Sequence, residues 1–291
     1  MNLHKTRIEW ATHTWNPVTG CQHGCEYCYA RRFISRFQPH ACERPRDDEI
    51  SGTGFSELTG TTPPIYYATH PTRLMDEYGQ YVRSTPYPKG FAPTFHAYTL
   101  AYPEKRFIPS CVFVSSMGDL FGEWVPDGWI EAVFDACKRG PQHTYLFLTK
   151  NPKRYAKLYD ARELPEDSNM WYGATVTDAA QMARAADAFG DLPEKVKTFL
   201  SIEPLMEDIA ASPGWTYANN RQYARWLIIG AMTGPGSKQY QPKREWVEAL
   251  VAAAEDSLTP VFMKDSLKDV WGPDLIREHP AGMVWPEEGY E

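Results

Sequence analysis

Three cysteines lie within eight residues near the start of the chain: Cys21, Cys25 and Cys28. Thiolates at the spacing C-x₃-C-x₂-C can bind three irons of a [4Fe–4S] cluster and leave the fourth iron without a protein ligand. Such an open iron can chelate the amino and carboxylate groups of a substrate and deliver one electron. Gly20 and Gly24 relieve steric crowding where the backbone must curl around a cluster. The spacing therefore predicts an iron–sulfur site.

The alternative is a zinc site or an incidental group of thiols. Zinc sites usually have four ligands in two pairs, and the sequence contains no second C-x₂-C pair. His23 could be a fourth ligand, but it lies between the first two cysteines and is awkwardly placed to close a tetrahedron. The other cysteines are scattered, and Cys42 alone in its segment cannot support a second cluster. A tight cysteine cluster in a reducing compartment indicates metal binding or catalysis more than disulfides.

The pattern C-x₃-C-x-aromatic-C after a first strand resembles the signature of radical S-adenosylmethionine (SAM) enzymes, with Tyr27 at the aromatic position. The resemblance implies that Cys21, Cys25 and Cys28 ligate the cluster and that Tyr27 lies against the SAM adenine. It also implies that reductive cleavage of SAM yields a 5′-deoxyadenosyl radical. The implied cofactors are thus a [4Fe–4S] cluster and SAM, which carry the chemistry while the protein binds and shields them.

Further segments resemble one phage and bacterial branch of this superfamily, whose members are largely of unknown function. They are Glu9-Trp10, Thr14-Trp15-Asn16-Pro17, Gly20-Cys21, Ser116-Met117-Gly118-Asp119-Leu120-Phe121, Leu148-Thr149-Lys150, Ser201-Ile202-Glu203-Pro204-Leu205 and Gly230. The match runs from the N-terminus to about Lys264, interrupted over residues 38–90. Because some phage members look associated with DNA hypermodification, the resemblance implies an isomerase that moves an amino-acid group on a modified thymine from nitrogen to carbon linkage.

Ligands of parallel α/β sheets bind beyond the carboxyl ends of the strands, so polar residues there are candidate contacts. Met117-Gly118-Asp119 resembles the Gly-Gly-Glu-like turn that binds the SAM amino group in the superfamily, with Asp in place of Glu. The expected cofactor contacts are Tyr27, Ser116, Gly118, Asp119, Thr175, Thr177, Ser201, Glu203 and Gly230. Lys150 and Lys264 are candidate catalytic residues, and the expected substrate contacts are Asn16, Arg31, Lys150, Lys238 and Lys264. Helix capping and core satisfaction are the alternative roles for the polar residues at the strand ends.

The elements that position these residues alternate from about residue 110 onward. Short apolar runs predict strands over 111–115, 144–148, 170–176, 197–202, 226–229 and 260–263, and a first strand over 12–16 leads into the cysteine loop. Amphipathic stretches predict helices over 127–138, 152–158, 178–189 and 243–255, and residues 26–37 form the cluster helix. About seven strands are too few for a closed eightfold barrel. We expect an α/β fold, a partial (β/α)₆-type radical SAM barrel with a long insertion after the cluster helix.

We interpret residues 1–291 as a single radical SAM domain that contains an irregular insertion or lid over residues 38–108. That insertion is rich in Pro, Gly, Thr, Tyr and charged residues. No apolar run is long enough for a membrane span and the N-terminus does not resemble a signal peptide, so we expect a cytoplasmic protein, in the host cytoplasm if phage-encoded. The net charge of −7 argues against a bulk polyanion binder but leaves room for a local basic groove.

Three hypotheses follow. The first is a radical SAM enzyme acting on a modified nucleobase in DNA or a nucleotide, with an external one-electron reductant of the flavodoxin or ferredoxin type. The second keeps this chemistry but takes a small metabolite, a peptide or a DNA photolesion as substrate. The third is a non-catalytic zinc or iron–sulfur binding module. Arg31, Arg32 and Arg36, which follow the cysteines, form either part of an anionic-substrate funnel or a solvated helix face.

Overall fold

A computed structural model describes residues 3–36, 44–45, 55–58, 64–87, 89–220, 223–234 and 236–285. The strands are β1 (His4–Lys5), β2 (His13–Trp15), β3 (Val18–Thr19), β4 (Arg44–Pro45), β5 (Phe55–Leu58), β6 (Ile65–Ala68), β7 (Thr72–Met75), β8 (Tyr81–Thr85), β9 (Thr94–His96), β10 (Cys111–Val114), β11 (Thr144–Thr149), β12 (Met170–Thr175), β13 (Lys197–Ile202), β14 (Leu227–Ile229) and β15 (Val261–Met263). The helices are α1 (Tyr29–Ile34), α2 (Tyr102–Lys105), α3 (Asp127–Arg139), α4 (Lys153–Asp160), α5 (Ala179–Gly190), α6 (Pro213–Asn220), α7 (Arg244–Asp256) and α8 (Lys268–Trp271). Single 3₁₀ turns cover Ala97–Thr99, Ser237–Tyr240 and Asp265–Leu267.

The chain divides into two compact units. The first comprises Met1–His4, Thr14–Ile108 and Phe113–Pro141, and the second comprises Lys5–His13, Pro109–Val112 and Gln142–Glu291. Strands β1, β2 and β10 each contribute residues to both units. The interpretation of residues 1–291 as one radical SAM domain stays a prediction.

The largest sheet has the strand order β1-β2-β10-β11-β12-β13-β14-β15. In the second unit, β11 to β15 pair in sequence order and every pair is parallel. Helices α4, α5, α6 and α7 lie between these strands in the chain, which is the alternation that builds a parallel sheet. The predicted α/β class with a parallel sheet is therefore confirmed. The predicted strands and the helices from residue 127 onward agree with the structure to within about two residues.

The core of the second unit centres on aromatic rings. The rings of Trp10 and Phe199 lie 6.3 Å apart, and the ring of Trp226 lies 6.5 Å from Trp10 and 5.8 Å from Phe199. All three side chains are buried. Large aromatic side chains bury much apolar surface, so this cluster fixes the segment that contains Trp10 against β13 and the residue that precedes β14.

The cluster helix is shorter than the 26–37 predicted. It begins after Cys28, which has an extended backbone and whose Sγ accepts a hydrogen bond from the backbone N–H of Arg31. A cysteine that caps a helix in this way leaves Glu26 and Tyr27 in the turn before it, because the N-cap residue has non-helical dihedral angles. The helix ends at Ile34, so its described part spans fewer than two turns.

The segment predicted as an irregular insertion contains strands in the residues that the structure describes. Strand β9 pairs with β3 and β6, and β5 pairs with β6, to give the sheet order β3-β9-β6-β5. Strands β4, β7 and β8 form a second small sheet. Each of these strands is two to five residues long, too short to produce a clear alternation in the sequence. Cys42 lies outside the described residues.

Candidate functional site

The three clustered cysteines lie on one loop between β3 and α1. All three are free thiols with intermediate burial. At the start of this loop Gly20 has φ +80° and forms a bridge with Gly118. A Cβ at Gly20 would lie 2.4 Å from the carbonyl oxygen of Ala92, so no larger residue fits there. This close backbone approach fixes the start of the cysteine loop beside the turn that follows β10.

Backbone groups and Arg31 hold the loop in place. The N–H of Cys28 donates to the carbonyl of Cys25 at 3.2 Å, and the N–H of His23 donates to Sγ of Cys21 at 3.4 Å. Arg31 Nη2 donates to the carbonyl of Cys21 at 3.2 Å, and its guanidinium lies 4.7 Å from the ring centre of Phe91. Arg31 therefore supports the loop backbone. Its role in binding substrate stays a prediction.

The electrostatics of the loop show that the three thiols lie close together. The pKa of Cys21 is raised to about 12, mainly by burial and then by the charges of Asp119, Cys25 and Cys28, against a smaller lowering by the hydrogen bond from the N–H of His23. Burial and nearby negative charge disfavour the thiolate form of Cys21, whereas a bound cation would favour it. Among the described residues, no group of three His, Cys, Asp or Glu side chains is arranged to hold a single metal ion.

A hydrogen-bonded pair joins the loop to the turn after β10. His23 Nε2 lies 2.7 Å from Asp119 Oδ2, and Asp119 Oδ1 accepts a hydrogen bond of 3.0 Å from the N–H of Phe121. The ring of Trp124 packs edge-on against His23 at 4.9 Å between centres. The Asp119 carboxylate, predicted to bind the SAM amino group, therefore already has two partners within the protein.

Asn16 holds the same turn from the other side. Its Oδ1 accepts hydrogen bonds from Ser116 Oγ at 3.1 Å and from the N–H of Met117 at 2.9 Å. The hydroxyl of Tyr29 donates to the carbonyl of Ser116. Three of the predicted site residues, Asn16, Ser116 and Asp119, thus belong to one hydrogen-bonded turn next to the cysteines. Tyr27, at the aromatic position, lies half-buried in the loop itself.

The second unit contains the remaining predicted residues at the carboxyl ends of its strands. Thr175 and Ser201 are neighbours in the parallel register of β12 and β13. Thr177 is buried, and its hydroxyl donates to Asp178 Oδ2 at 3.3 Å. Its N–H donates to Gln181 Oε1 at 3.2 Å, and its carbonyl accepts a hydrogen bond of 3.2 Å from the N–H of Met206. These Thr177 contacts are typical of the first turn of a helix. Thr175 and Ser201, in contrast, lie side by side at the carboxyl ends of β12 and β13.

Glu203, Gly230 and Lys264 lie together just after the carboxyl ends of β13, β14 and β15. The ammonium of Lys264 forms an ion pair with Glu203 Oε1, and the two side chains are 18% and 26% exposed. A Cβ at Gly230 would lie 3.1 Å from Cδ of Lys264 and 3.2 Å from Cγ of Glu203, so the glycine leaves room for the pair. Lys150 is half-buried directly after β11, and Lys238 is exposed on the turn Ser237–Tyr240.

A family model described as "Protein of unknown function (DUF5131)" matches residues 5–279. The chain belongs to this family. No curated protein sequence matches it significantly. Among solved structures, it is similar to a double mutant of spore photoproduct lyase with bound AdoMet and dinucleoside spore photoproduct, with 10% identity and a TM-score of 0.46. It is also similar to spore photoproduct lyase complexed with dinucleoside spore photoproduct, with 11% identity and a TM-score of 0.47. Both alignments cover 90% of this chain and 78% of the other, and at this level they do not bear on substrate or site residues.

Several residues beside the cysteines were not predicted as site residues. The side-chain nitrogens of Gln22 and Trp124 and the hydroxyl of Ser115 are buried with no hydrogen-bond partner in the described structure. Buried polar groups are normally satisfied, so unpaired ones beside a candidate site are consistent with a bound group. Gln22 and His23 lie inside the cysteine motif and could have been singled out, whereas nothing in the sequence around Trp124 indicates such a role.

No described helix is both long and apolar enough to cross a membrane.

Proposed function

We propose that this protein is a radical SAM enzyme whose Cys21, Cys25 and Cys28 hold a [4Fe–4S] cluster. The observation that carries the proposal is the cysteine loop: three free thiols on one short segment, fixed by the Gly20–Gly118 bridge and the His23–Asp119 pair. Three thiolates suit three irons of a cubane and leave one iron for SAM.

The residues around the loop fit these groups. The donor set is sulfur only, the ligand type that iron–sulfur clusters take. The side-chain nitrogens of Gln22 and Trp124 are buried and unpaired among the described residues, so each could donate a hydrogen bond to a cluster sulfide or to a SAM oxygen. Gly24 has φ +72° and no atom within 4 Å of the position of a Cβ, so the loop has open space on that side.

When bound, the cluster and SAM supply one-electron cleavage of SAM to a 5′-deoxyadenosyl radical, which abstracts hydrogen from the substrate. The protein binds and orients these groups. Ser116, Gly118 and Asp119 lie on a turn that Asn16 fixes, so they offer the methionyl end of SAM preset polar groups. Thr175 and Ser201 offer two neighbouring hydroxyls at the end of the parallel sheet, where ribose oxygens would bind.

For the substrate we propose a modified nucleobase, with rearrangement of a thymidine adduct in phage DNA hypermodification as the concrete reaction. The support is the resemblance of the sequence motifs to phage members of the superfamily. The Glu203–Lys264 pair gives it a chemical basis, because the carboxylate and the ammonium can bind the amino and carboxylate groups of an amino-acid adduct. Lys150 and Lys264 are the proposed catalytic candidates, and Arg31 and Lys238 further substrate contacts. The proposed location is the cytoplasm, where thiols stay reduced.

Anaerobic reconstitution with iron and sulfide, followed by dithionite and SAM, tests the class. We expect the visible iron–sulfur absorbance and formation of 5′-deoxyadenosine, and we expect Cys21→Ala, Cys25→Ala and Cys28→Ala each to abolish both. Cys137→Ala is the matched control, because that cysteine is buried in α3, away from the loop in sequence. One bound zinc and no visible absorbance would overturn the proposal.

The substrate is tested separately. DNA that carries amino-acid-modified thymines should increase 5′-deoxyadenosine formation by the reconstituted enzyme, and unmodified DNA, peptides and free nucleosides should not. An enzyme that cleaves SAM but gives no product with any modified-pyrimidine DNA would contradict the substrate while leaving the class intact.

A further inference from the structure

Helix α1 begins directly after Cys28 and presents basic and aromatic side chains to solvent. We call Tyr29, Arg31, Arg32 and Phe33 of the helix, together with Arg36 two residues after its end, the α1 face. Tyr29 is 52% exposed and Phe33 is 45% exposed, and the two are one helical turn apart. Arg31 and Arg36 are exposed and Arg32 is half-buried. Exposed aromatic rings beside arginines are typical of surfaces that bind a partner.

The charge of the α1 face is not neutralised by ion pairs among the described residues. Arg31 and Arg32 donate to the carbonyls of Cys21 and Tyr27, which orient the guanidinium groups without cancelling their charge. None of the three arginines forms an ion pair in the part of the chain that the structure describes. Residues 26–36 contain these three arginines and one acid, Glu26, which gives a net charge of +2 in a chain of net charge −7. The α1 face is thus a local positive patch on an acidic protein.

The patch lies next to the proposed cluster. Cys28 caps α1, and the six residues of the helix span about 9 Å at 1.5 Å per residue. Every member of the α1 face therefore lies within a short distance of a cluster ligand. Electron transfer weakens steeply with distance, so an electron donor must dock close to the cluster that it reduces.

We propose that the α1 face is the docking surface for an acidic electron-carrier protein. The inference rests on the proposed function, because a cluster that cleaves SAM has to be reduced again. One electron passes from the reduced flavin of the donor to the cluster, which goes from the 2+ to the 1+ state while the flavin is oxidised by one electron. The positive patch attracts the acidic donor, and Tyr29 and Phe33 supply the apolar contact of a small, weak interface.

The size of the patch favours a protein donor over DNA. A long polyanion contacts many phosphates at once and requires an extended basic surface. Here the three arginines are confined to residues 31–36, fewer than two helical turns of chain. A small acidic protein needs only a patch of this size.

The test compares two reductants on the reconstituted enzyme. The cluster is reduced either by dithionite or by a photoreduced flavodoxin, and the rate is followed by loss of the visible absorbance in wild type, Arg36→Glu and Arg36→Lys. We expect Arg36→Glu to slow reduction by flavodoxin at least about threefold at low salt, with the difference shrinking at high salt, because charge reversal changes the rate of encounter. Arg36→Lys should keep the wild-type rate, and dithionite should reduce all three alike. Arg184→Glu, the same change at an exposed position of α5, is the control and should have no effect.

The outcomes separate the inference from the proposed function. Equal flavodoxin rates in wild type and Arg36→Glu, or no reduction of wild type by flavodoxin when dithionite reduces it, would overturn the α1 docking surface alone. In a further outcome, Arg36→Glu is reduced by flavodoxin at the wild-type rate but binds DNA more weakly than wild type, with a steep dependence on salt. This outcome would assign the face to nucleic acid instead. Failure to form a cluster or to cleave SAM with dithionite would overturn the proposed function and this inference with it.

Discussion

His23 Nε2 lies 2.7 Å from Asp119 Oδ2 and joins the cysteine loop to the turn after β10. The same histidine donates its backbone N–H to Sγ of Cys21, so one residue contacts both a proposed cluster ligand and a proposed SAM contact. Asp119 is buried, and a buried polar side chain is stabilised by hydrogen-bonding partners of this kind. The pair therefore couples the position of the cysteines to that of the Ser116–Asp119 turn.

We expect Asp119→Asn to weaken SAM binding about tenfold, because the loss of one charge-assisted hydrogen bond costs about 1.5 kcal/mol. The measurement is equilibrium binding of SAM to the reconstituted protein. His23→Gln is the matched control, since it removes the ion pair and keeps the carboxylate. If His23→Gln weakens SAM binding as much as Asp119→Asn does, the carboxylate acts only by positioning the loop and does not contact SAM.

Two glycines of the cysteine loop should differ in their tolerance of alanine. Both have positive φ, +80° at Gly20 and +72° at Gly24, which costs an alanine about 1–2 kcal/mol. Only Gly20 also faces a backbone oxygen, that of Ala92, at 2.4 Å from the position of a Cβ. We therefore expect Gly20→Ala to destabilise the protein by about 3 kcal/mol or more and Gly24→Ala by about 1 kcal/mol, measured by urea unfolding of the cluster-free protein. Equal losses would show that the close approach to Ala92 relaxes without cost.

The parallel sheet could be predicted from the sequence because each of its long strands is a continuous apolar run. Strand β13 was predicted with its observed bounds, and β11 and β12 to within one residue at their ends. Strands buried on both faces have this composition, and the helices between them have clear apolar faces. The small sheets escaped prediction because their strands are too short for a pattern, and α6 because its first two residues are Pro213 and Gly214. Proline is nonetheless well suited to the first turn of a helix.

The candidate site was predicted as residue types at strand ends and not as contacts. The cysteine spacing indicated the loop, since ligand spacing is local in sequence. The His23–Asp119 pair joins residues 96 positions apart and the Glu203–Lys264 pair joins residues 61 apart, and no local pattern encodes either. Such pairs arise from tertiary packing, so a single sequence shows both residues but does not indicate that they are in contact.

Glu203 and Lys264 should be energetically coupled. Their side chains are 26% and 18% exposed, so removing either partner leaves a partly desolvated charge. We expect Glu203→Gln and Lys264→Met each to cost about 1–2 kcal/mol of stability, and the double variant to cost about 1 kcal/mol less than their sum. The control is Lys268→Met, which removes an ion pair with Asp265 whose side chains are 55% and 56% exposed. This change should lower the free energy of unfolding by less than about 0.5 kcal/mol. Strict additivity in the double variant would contradict the coupling.

Stability should fall with decreasing pH because of His96 in β9. This side chain is buried, its Nε2 lies 2.8 Å from Thr19 Oγ1, and burial lowers its pKa from the usual 6.5 to about 3. Below pH 6.5 the unfolded chain binds a proton at this histidine while the folded protein does not. The free energy of unfolding therefore decreases by up to about 1.4 kcal/mol per pH unit from pH 6.5 down to about pH 3, and is largest above pH 6.5.

The measurement is urea unfolding of wild type and His96→Gln at pH 7.5 and pH 5. Glutamine keeps a hydrogen-bonding side chain but does not titrate, and the contribution of the carboxyl groups cancels in the comparison. We expect wild type to lose about 2 kcal/mol more than the variant between the two pH values. Parallel losses in the two proteins would mean that His96 is protonated in the folded state. Because Thr19 directly precedes Gly20, such a protonation would also disturb the strand that leads into the cysteine loop.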